Sequence, residues 1–311
     1  MSQTGRTIEL NNGIHVPIIG CGAWAPDTPE EQAKVKGWIG TALKAGYRHI
    51  DTALGYGTEA AVGEAVRASG IPREQIFITT KLPWNHHDRV KESFEASLKN
   101  LDIDYIDLYL VHWPQFIPQG DDLNNPGPLP KNPDGTIETS DKVTFNDSWA
   151  EVEKLLETGK VKAVGVSNFS IKTLEQLFKT TKIVRAVNQV ELHPYLVQSE
   201  LVEYCKEKKI AVTAYSPSGW SAVRGDPVIV EIAQKYNATP TQVILAWHLA
   251  NDVIVIPKSV DEGRQKENLQ LPVLEEADVL KITQLDRNQR ICNKGDENNQ
   301  VYGWTLEQLG W

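Results

Sequence analysis

Short runs of apolar and β-branched residues alternate along this chain with longer stretches whose apolar positions recur at helical spacing. The candidate strands are Ile18–Gly20, Arg48–Asp51, Ile76–Lys81, Ile106–Val111, Ala163–Ser167, Ala186–Val190, Val212–Tyr215 and Val253–Ile256, eight in order. Their near-continuous apolar character is what strands buried on both faces require, and helices between them supply the crossovers that parallel pairing needs. Val90, Phe94, Leu98 and Leu101 share one helix face, as do Ile229, Ile232, Ala233 and Tyr236. Thr28-Pro29-Glu30-Glu31 and Thr239-Pro240-Thr241-Gln242 each offer a capping hydroxyl, proline at the first helical position and an acid or amide two residues on, so helices are expected to begin there.

Such alternation fits a doubly wound sheet or a closed barrel. The glycines speak against the former. Gly20-Cys21-Gly22 is followed by Ala25 and Gly55-Tyr56-Gly57 by Ala60, so neither completes a dinucleotide-binding fingerprint. Pro114 to Val143 is a long segment rich in Pro, Gly, Asn and Asp, and the tail from Asp286 to Trp311 carries Tyr302, Trp304 and Trp311 without clear periodicity. Both are expected over one end of a single (β/α)8 barrel domain spanning residues 1–311.

Composition narrows the function classes. A formal charge of −9 leaves no basic excess for a nucleic-acid backbone, so any bound anion must meet a local cationic site. The longest apolar runs, such as Ile210 to Ala214, are far too short to cross a bilayer, and no apolar segment follows a basic start, so a cytoplasmic location is the expectation. Cys21, Cys205 and Cys292 lie far apart without a C-x-x-C pair and read as packing residues. His86-His87-Asp88 reads as an exposed helix start, and no metal site is expected.

Immediately after the candidate strands stand Trp24, Asp51 with Tyr56, Lys81, His112 with Trp113, Ser167 with Asn168, Gln189, Tyr215 with Ser216, and Lys258 with Ser259. In a (β/α)8 barrel these strand ends converge on one face, where the active sites of that fold are built. The segments Gly46-Tyr47-Arg48-His49-Ile50-Asp51-Thr52-Ala53 with Tyr56 and Glu59, Thr79-Thr80-Lys81-Leu82, Leu110-Val111-His112-Trp113-Pro114 and Val164-Gly165-Val166-Ser167-Asn168-Phe169 resemble the aldo-keto reductases. Ala214-Tyr215-Ser216-Pro217 and Ile256-Pro257-Lys258-Ser259-Val260, with Arg264, Glu267 and Asn268, extend the resemblance over almost the whole chain.

The resemblance implies an NADPH-dependent reductase of aldehydes or ketones in which Asp51, Tyr56, Lys81 and His112 form a catalytic tetrad. Tyr56 would be the general acid. A free phenol titrates near pH ~10, so Lys81, held by Asp51, is expected to draw its pKa down, and a neutral His112 to orient the carbonyl. The resemblance further implies that Ser167, Asn168 and Gln189 hold the nicotinamide carboxamide, that Tyr215, with Ser216, stacks on the ring, and that Lys258, Ser259, Val260 and Arg264 take the adenosine 2′-phosphate beside Glu267 and Asn268. Trp24 and Trp113 would wall the substrate pocket; whether Trp84, Trp220 and Trp304 reach it is open. Pro83 displaces Trp84 by one position, and the link from Ser218 to Gly225 is short, with Arg224 offered as a clamp on the pyrophosphate.

Within the family the chain is similar to fungal-type small-aldehyde, glycerol and sugar reductases. Two alternatives stand beside carbonyl reduction: a polyol dehydrogenase running the same chemistry in reverse, and a non-catalytic NADPH-binding regulatory protein. A small-molecule substrate and a monomeric chain are the expectations.

Overall fold

The computed structural model describes residues 5–120, 122–124, 127–181 and 183–311. A hairpin of β1 (Thr7–Glu9) and β2 (His15–Pro17) leads into β3 (Cys21–Gly22), α1 (Pro29–Ala45), β4 (His49–Asp51), α2 (Glu59–Ala68), β5 (Phe77–Leu82), α3 (Val90–Leu101), β6 (Ile106–Val111) and α4 (Phe145–Leu155). There follow β7 (Val161–Ser167), α5 (Ile171–Phe178), β8 (Val187–Glu191), α6 (Ser199–Glu207), β9 (Ala211–Tyr215), α7 (Trp220–Arg224), α8 (Pro227–Lys235), α9 (Pro240–Ala250) and β10 (Ile254–Val255). The chain ends with α10 (Glu262–Glu267), α11 (Glu276–Thr283), the small hairpin β11 (Gln300–Val301) and β12 (Trp304–Thr305), and α12 (Leu306–Leu309).

β3 to β10 form one eight-stranded sheet in sequential order, every pairing parallel. The sheet curls until its edges meet. Ile19 bridges Val255, while the Gly20 amide donates to Val255 O (2.7 Å) and the Val255 amide to Ile18 O (2.9 Å). The expected strand at Ile18–Gly20 is thereby corrected: those residues close the seam against β10, and the ladder to β4 is carried by Cys21 and Gly22. Strands tilted and staggered around a barrel meet their two neighbours at different heights, which splits a short strand in this way. Every residue of β4, β5, β6 and β8 is buried, as two covered faces require.

The helix expectations hold at both marked starts. The Thr28 side chain accepts from the Glu31 amide at the head of α1, and Thr239 forms a reciprocal capping box with Gln242 on α9. Gly46 stops α1 in the left-handed region (φ 116°), handing the chain to β4 and thus to Asp51. Val90, Phe94, Leu98 and Leu101 are buried along α3.

Two features depart from the sequence pattern. The N-terminal hairpin was not signalled; Asn11 and Asn12 donate to the carbonyls of Arg185 and Lys162, so it lies across the N-terminal ends of β7 and β8, opposite the strand ends that carry the candidate chemistry. His86 and His87 are buried, not exposed. The Pro114–Val143 segment and α4 cover His87: Phe116 stacks on its ring at 6.0 Å, the Ile117 amide donates to the nearby Trp84 O, and the Ser148 hydroxyl donates to His87 O (3.1 Å), while His86 Nδ1 lies 3.0 Å from Ser93 Oγ of α3. Burial pushes both imidazoles down to about 4. Residues 121, 125 and 126 of that segment lie outside the described residues. Among the described residues no helix is long and apolar enough to cross a membrane.

Candidate active site

The strand ends bring the four candidate catalytic residues together. Asp51 ends β4 and Lys81 is the penultimate residue of β5; strands β4 and β5 are adjacent, and their registered pairing sets the two side chains side by side inside the barrel. Lys81 Nζ donates to Asp51 Oδ1 (2.5 Å) and to Thr52 O (2.8 Å), and Gln189 Nε2 from β8 donates to Asp51 Oδ2 (2.7 Å). The ammonium is wholly buried and its carboxylate nearly so. Tyr56 sits on the turn following Asp51, with Lys81 Nζ 5.1 Å from its ring centroid and the His112 ring edge-on at 5.5 Å.

The electrostatics depart from the sequence expectation for Tyr56. Burial first, then the Asp51 charge, then Tyr302, hold the phenol well above its ordinary value. The physical reason is that Lys81 is committed to Asp51, so Tyr56 meets an ion pair and not a lone cation. Burial lowers the Lys81 pKa while Asp51 opposes that fall. Burial, reinforced by the Lys81 charge, holds His112 well below the usual imidazole range and therefore neutral.

Beside this group stands a hydrogen-bonded platform. Asn168, at φ +66°, donates to His112 O (3.0 Å) and accepts from the Tyr215 hydroxyl (2.8 Å), which itself accepts from Asn293 Nδ2 (2.6 Å). The Ser167 hydroxyl donates to Gln189 O (2.8 Å), and Ser216 Oγ lies 2.8 Å from Cys292 Sγ. The bonds to Asn168 and Tyr215 fix an amide and a ring before any ligand arrives, which is the structural meaning of preorganisation.

On the same face, after β10, lie Lys258 and Arg264, both exposed, with Ser259 and Asn268 buried and Val260 and Glu267 facing solvent. The nearby carboxylates are engaged elsewhere: Asp261 caps α10 through the Arg264 amide, Glu262 pairs with Lys266 (2.7 Å) and Glu31 with Lys34 (2.5 Å). Arg224, bonded to Ser218 Oγ (3.1 Å), has its pKa lowered by burial and then by the Arg264 charge, so the short β9–α8 link does carry its cation towards this rim. Among the described residues no carboxylate forms an ion pair with Lys258, Arg264 or Arg224. Uncompensated cations of this kind, in a chain of charge −9, suit an anionic ligand.

The aromatic candidates divide. Trp113 is buried, and Trp84 stacks on His112 (6.5 Å) and packs against Tyr302 (4.8 Å), so the displaced Trp84 does stand beside the candidate catalytic group. Trp24 is 51% exposed and lies over Lys258; Trp220 is exposed. Trp304 packs in the apolar cluster that joins Trp113 and Trp84 to the tail residues Val301, Tyr302 and Leu309.

The sequence pattern missed three contributors. Tyr302 meets Trp113 edge-on at 5.0 Å, Asn293 holds the Tyr215 hydroxyl, and Glu191 anchors the tail by accepting the amides of Ile291 (2.5 Å), Cys292 (2.9 Å) and Asn293 (3.2 Å). Burial would raise the Glu191 pKa, but its bonds to His193 and to those three amides outweigh it and hold the carboxyl below its ordinary value. Glu191 was findable, standing directly after a candidate strand; Asn293 and Tyr302 come from the aperiodic tail. All three cysteines are held as thiols by burial, at about 12 for Cys21 and about 11 for Cys205 and Cys292.

Comparison with known proteins agrees with this geometry. Residues 18–287 match the Aldo/keto reductase family. The chain is 41% identical to aldo-keto reductase family 1 member A1-A of Danio rerio, covering 91% of this chain and 90% of that protein. It is 41% identical to glycerol 2-dehydrogenase (NADP(+)) of Saccharomyces cerevisiae (92% and 93% covered) and 39% identical to D-galacturonate reductase of Hypocrea jecorina (96% of each). With its eight-stranded parallel barrel, its strand-end side chains and these relatives, the chain belongs to the aldo/keto reductase family.

Proposed function

We propose that this protein reduces an aldehyde or ketone to the alcohol with NADPH, Tyr56 serving as the proton donor. The reading is carried by the Asp51–Lys81 ion pair beneath Tyr56, with His112 edge-on to the same phenol. When bound, the nicotinamide supplies the hydride that the carbonyl carbon accepts. The residues do the rest. His112, neutral, offers an N–H to the carbonyl oxygen and fixes its direction. Tyr56 releases its proton to that oxygen as negative charge builds there. A phenol held above its ordinary pKa is protonated throughout the physiological range, and the nascent alkoxide is a far stronger base than phenolate, so transfer is downhill. Lys81 stabilises the phenolate left behind, and Asp51 keeps Lys81 in place.

Ser167, Asn168 and Gln189 would hold the carboxamide, and Tyr215, whose hydroxyl is held between Asn168 and Asn293, would stack on the ring. The Lys258, Arg264 and Arg224 rim fits the cofactor's phosphates, the 2′-phosphate falling to Lys258, Ser259 and Arg264. Trp84, Trp113 and Tyr302 supply the apolar wall for a substrate body, with Trp24 across the opening. The likeness to a glycerol 2-dehydrogenase favours polyol oxidation as the second reading, since the same groups act in reverse. The regulatory reading has less support, because Asp51, Tyr56, Lys81 and His112 stand together at the strand ends. A cytoplasmic monomer acting on a small molecule completes the proposal.

The test is NADPH and NADH consumption with small, aromatic and sugar aldehydes, wild type beside Tyr56→Phe. The expected outcome is turnover that prefers NADPH and falls by about 10²–10⁴-fold in the variant, with NADPH affinity unchanged. Equal turnover in the variant overturns Tyr56 as the acid.

A further inference from the structure

Two indole rings stand beside Lys258. Its ammonium lies 5.1 Å from the ring centroid of Trp24 and 5.1 Å from that of Trp38. Both distances fall within cation–π range, which reaches to about 6 Å. The two indoles come from separate elements: Trp24 from the loop after β3, half exposed, and Trp38 from the middle of α1, 5% exposed. The β3 loop can come this close because position 22 is glycine. A Cβ there would stand 3.1 Å from Ile256 O and 3.6 Å from Lys258 Cβ.

Trp38 is also tied to the segment that carries Lys258. Gln265, 1% exposed, donates from one amide nitrogen to Trp38 O (2.9 Å) and to Ser259 O (2.8 Å), so α1 and the Lys258–Ser259 turn are held in fixed relation. The Trp38 indole N–H has no acceptor among the described residues. What the fold uses at position 38 is the ring face.

Resting on the cofactor reading above, we propose that Trp38, pinned by Gln265, is a positioning residue for the 2′-phosphate: with Trp24 it clamps Lys258 in the orientation that receives that group. A lysine carries large rotamer entropy, which is ordinarily lost when it grips a ligand. Two flanking indoles impose that loss during folding, leaving less to lose on binding. The two flanked sides also leave the ammonium fewer directions from which water can solvate it, which favours an anion arriving from the open one.

The experiment is calorimetric binding of NADPH, NADH, adenosine 2′,5′-bisphosphate and AMP to wild type, Trp38→Leu, Trp38→Phe and Lys258→Ala, with circular dichroism and melting confirming that each is folded. Trp38→Leu is expected to weaken NADPH and the bisphosphate by about three- to tenfold while NADH and AMP hold, and Trp38→Phe to retain most of the affinity because a ring face remains. A general packing defect would weaken all four ligands alike, and that result overturns the proposal. So does tighter NADPH binding in Trp38→Leu, which would make the indoles competitors of the phosphate. If Trp38→Leu does not fold, Trp24→Leu, on the exposed side of the clamp, must show the same selective loss, and an unchanged NADPH to NADH ratio there overturns the clamp. Failure of the cofactor reading looks different: wild type would not favour NADPH over NADH, and Lys258→Ala would change neither.

Discussion

Lys81 and Lys258 both stand at the C-terminal ends of barrel strands, yet the fold treats their charges in opposite ways. Lys81 is wholly buried with Asp51 at 2.5 Å and the Thr52 carbonyl as a second acceptor, whereas Lys258 is exposed, flanked by aromatic faces and, among the described residues, without a carboxylate partner. A buried charge must be paired within the protein, because an unpaired one costs more than the fold can spare. A charge at the rim is hydrated and can be left for a ligand to neutralise. The difference separates a cation that serves proton transfer from one that serves binding.

Breaking the buried pair is expected to have the largest effect. Asp51→Asn leaves the Lys81 ammonium uncompensated and sets a second amide against Gln189 Nε2, so denaturant unfolding should show a loss of about 3–5 kcal/mol together with collapse of turnover. A variant as stable as wild type would show that the pair is not what holds Lys81. Lys258→Ala is the contrasting change: stability within about 0.5 kcal/mol of wild type, with NADPH affinity reduced about ten- to a hundredfold. That loss should shrink as salt is raised, because the rim is screened and the barrel interior is not. The smallest effect is expected from Arg224→Ala, about two- to fivefold weaker NADPH binding, since removing the guanidinium forfeits one attraction but also relieves its repulsion with Arg264. Unchanged affinity would remove Arg224 from the binding rim and confine the comparison to Lys258 and Arg264.

Much of this arrangement was legible in the chain. Asp51, Lys81, His112, Ser167, Gln189 and Tyr215 could be named because each ends a buried apolar run, and parallel barrels bring such ends to one face. The capping signals at Thr28 and Thr239 fixed helix starts for the same reason, being local hydrogen-bond chemistry. Ile18–Gly20 was misplaced because its pairing depends on barrel stagger, which no local pattern encodes. His87 was misjudged because Phe116, which stacks on its ring, is distant in sequence and lies in an irregular segment, and His86 because it turns inward onto Ser93 of α3.

The sequence by itself determined the alternation of strand and helix and the identity of the strand-end side chains, which follow from periodicity, capping and spacing, while the motifs that carry the resemblance pointed to the closed barrel. Tertiary structure alone decided the charge states and the partners. Tyr56 is held above its ordinary pKa by burial and then by the Asp51 charge, the tail is anchored because Glu191 accepts its amides, and Lys258 is clamped because Trp24 and Trp38 converge on it from separate elements. Burial and long-range contact set desolvation and field, and those quantities exist only once the chain has closed on itself.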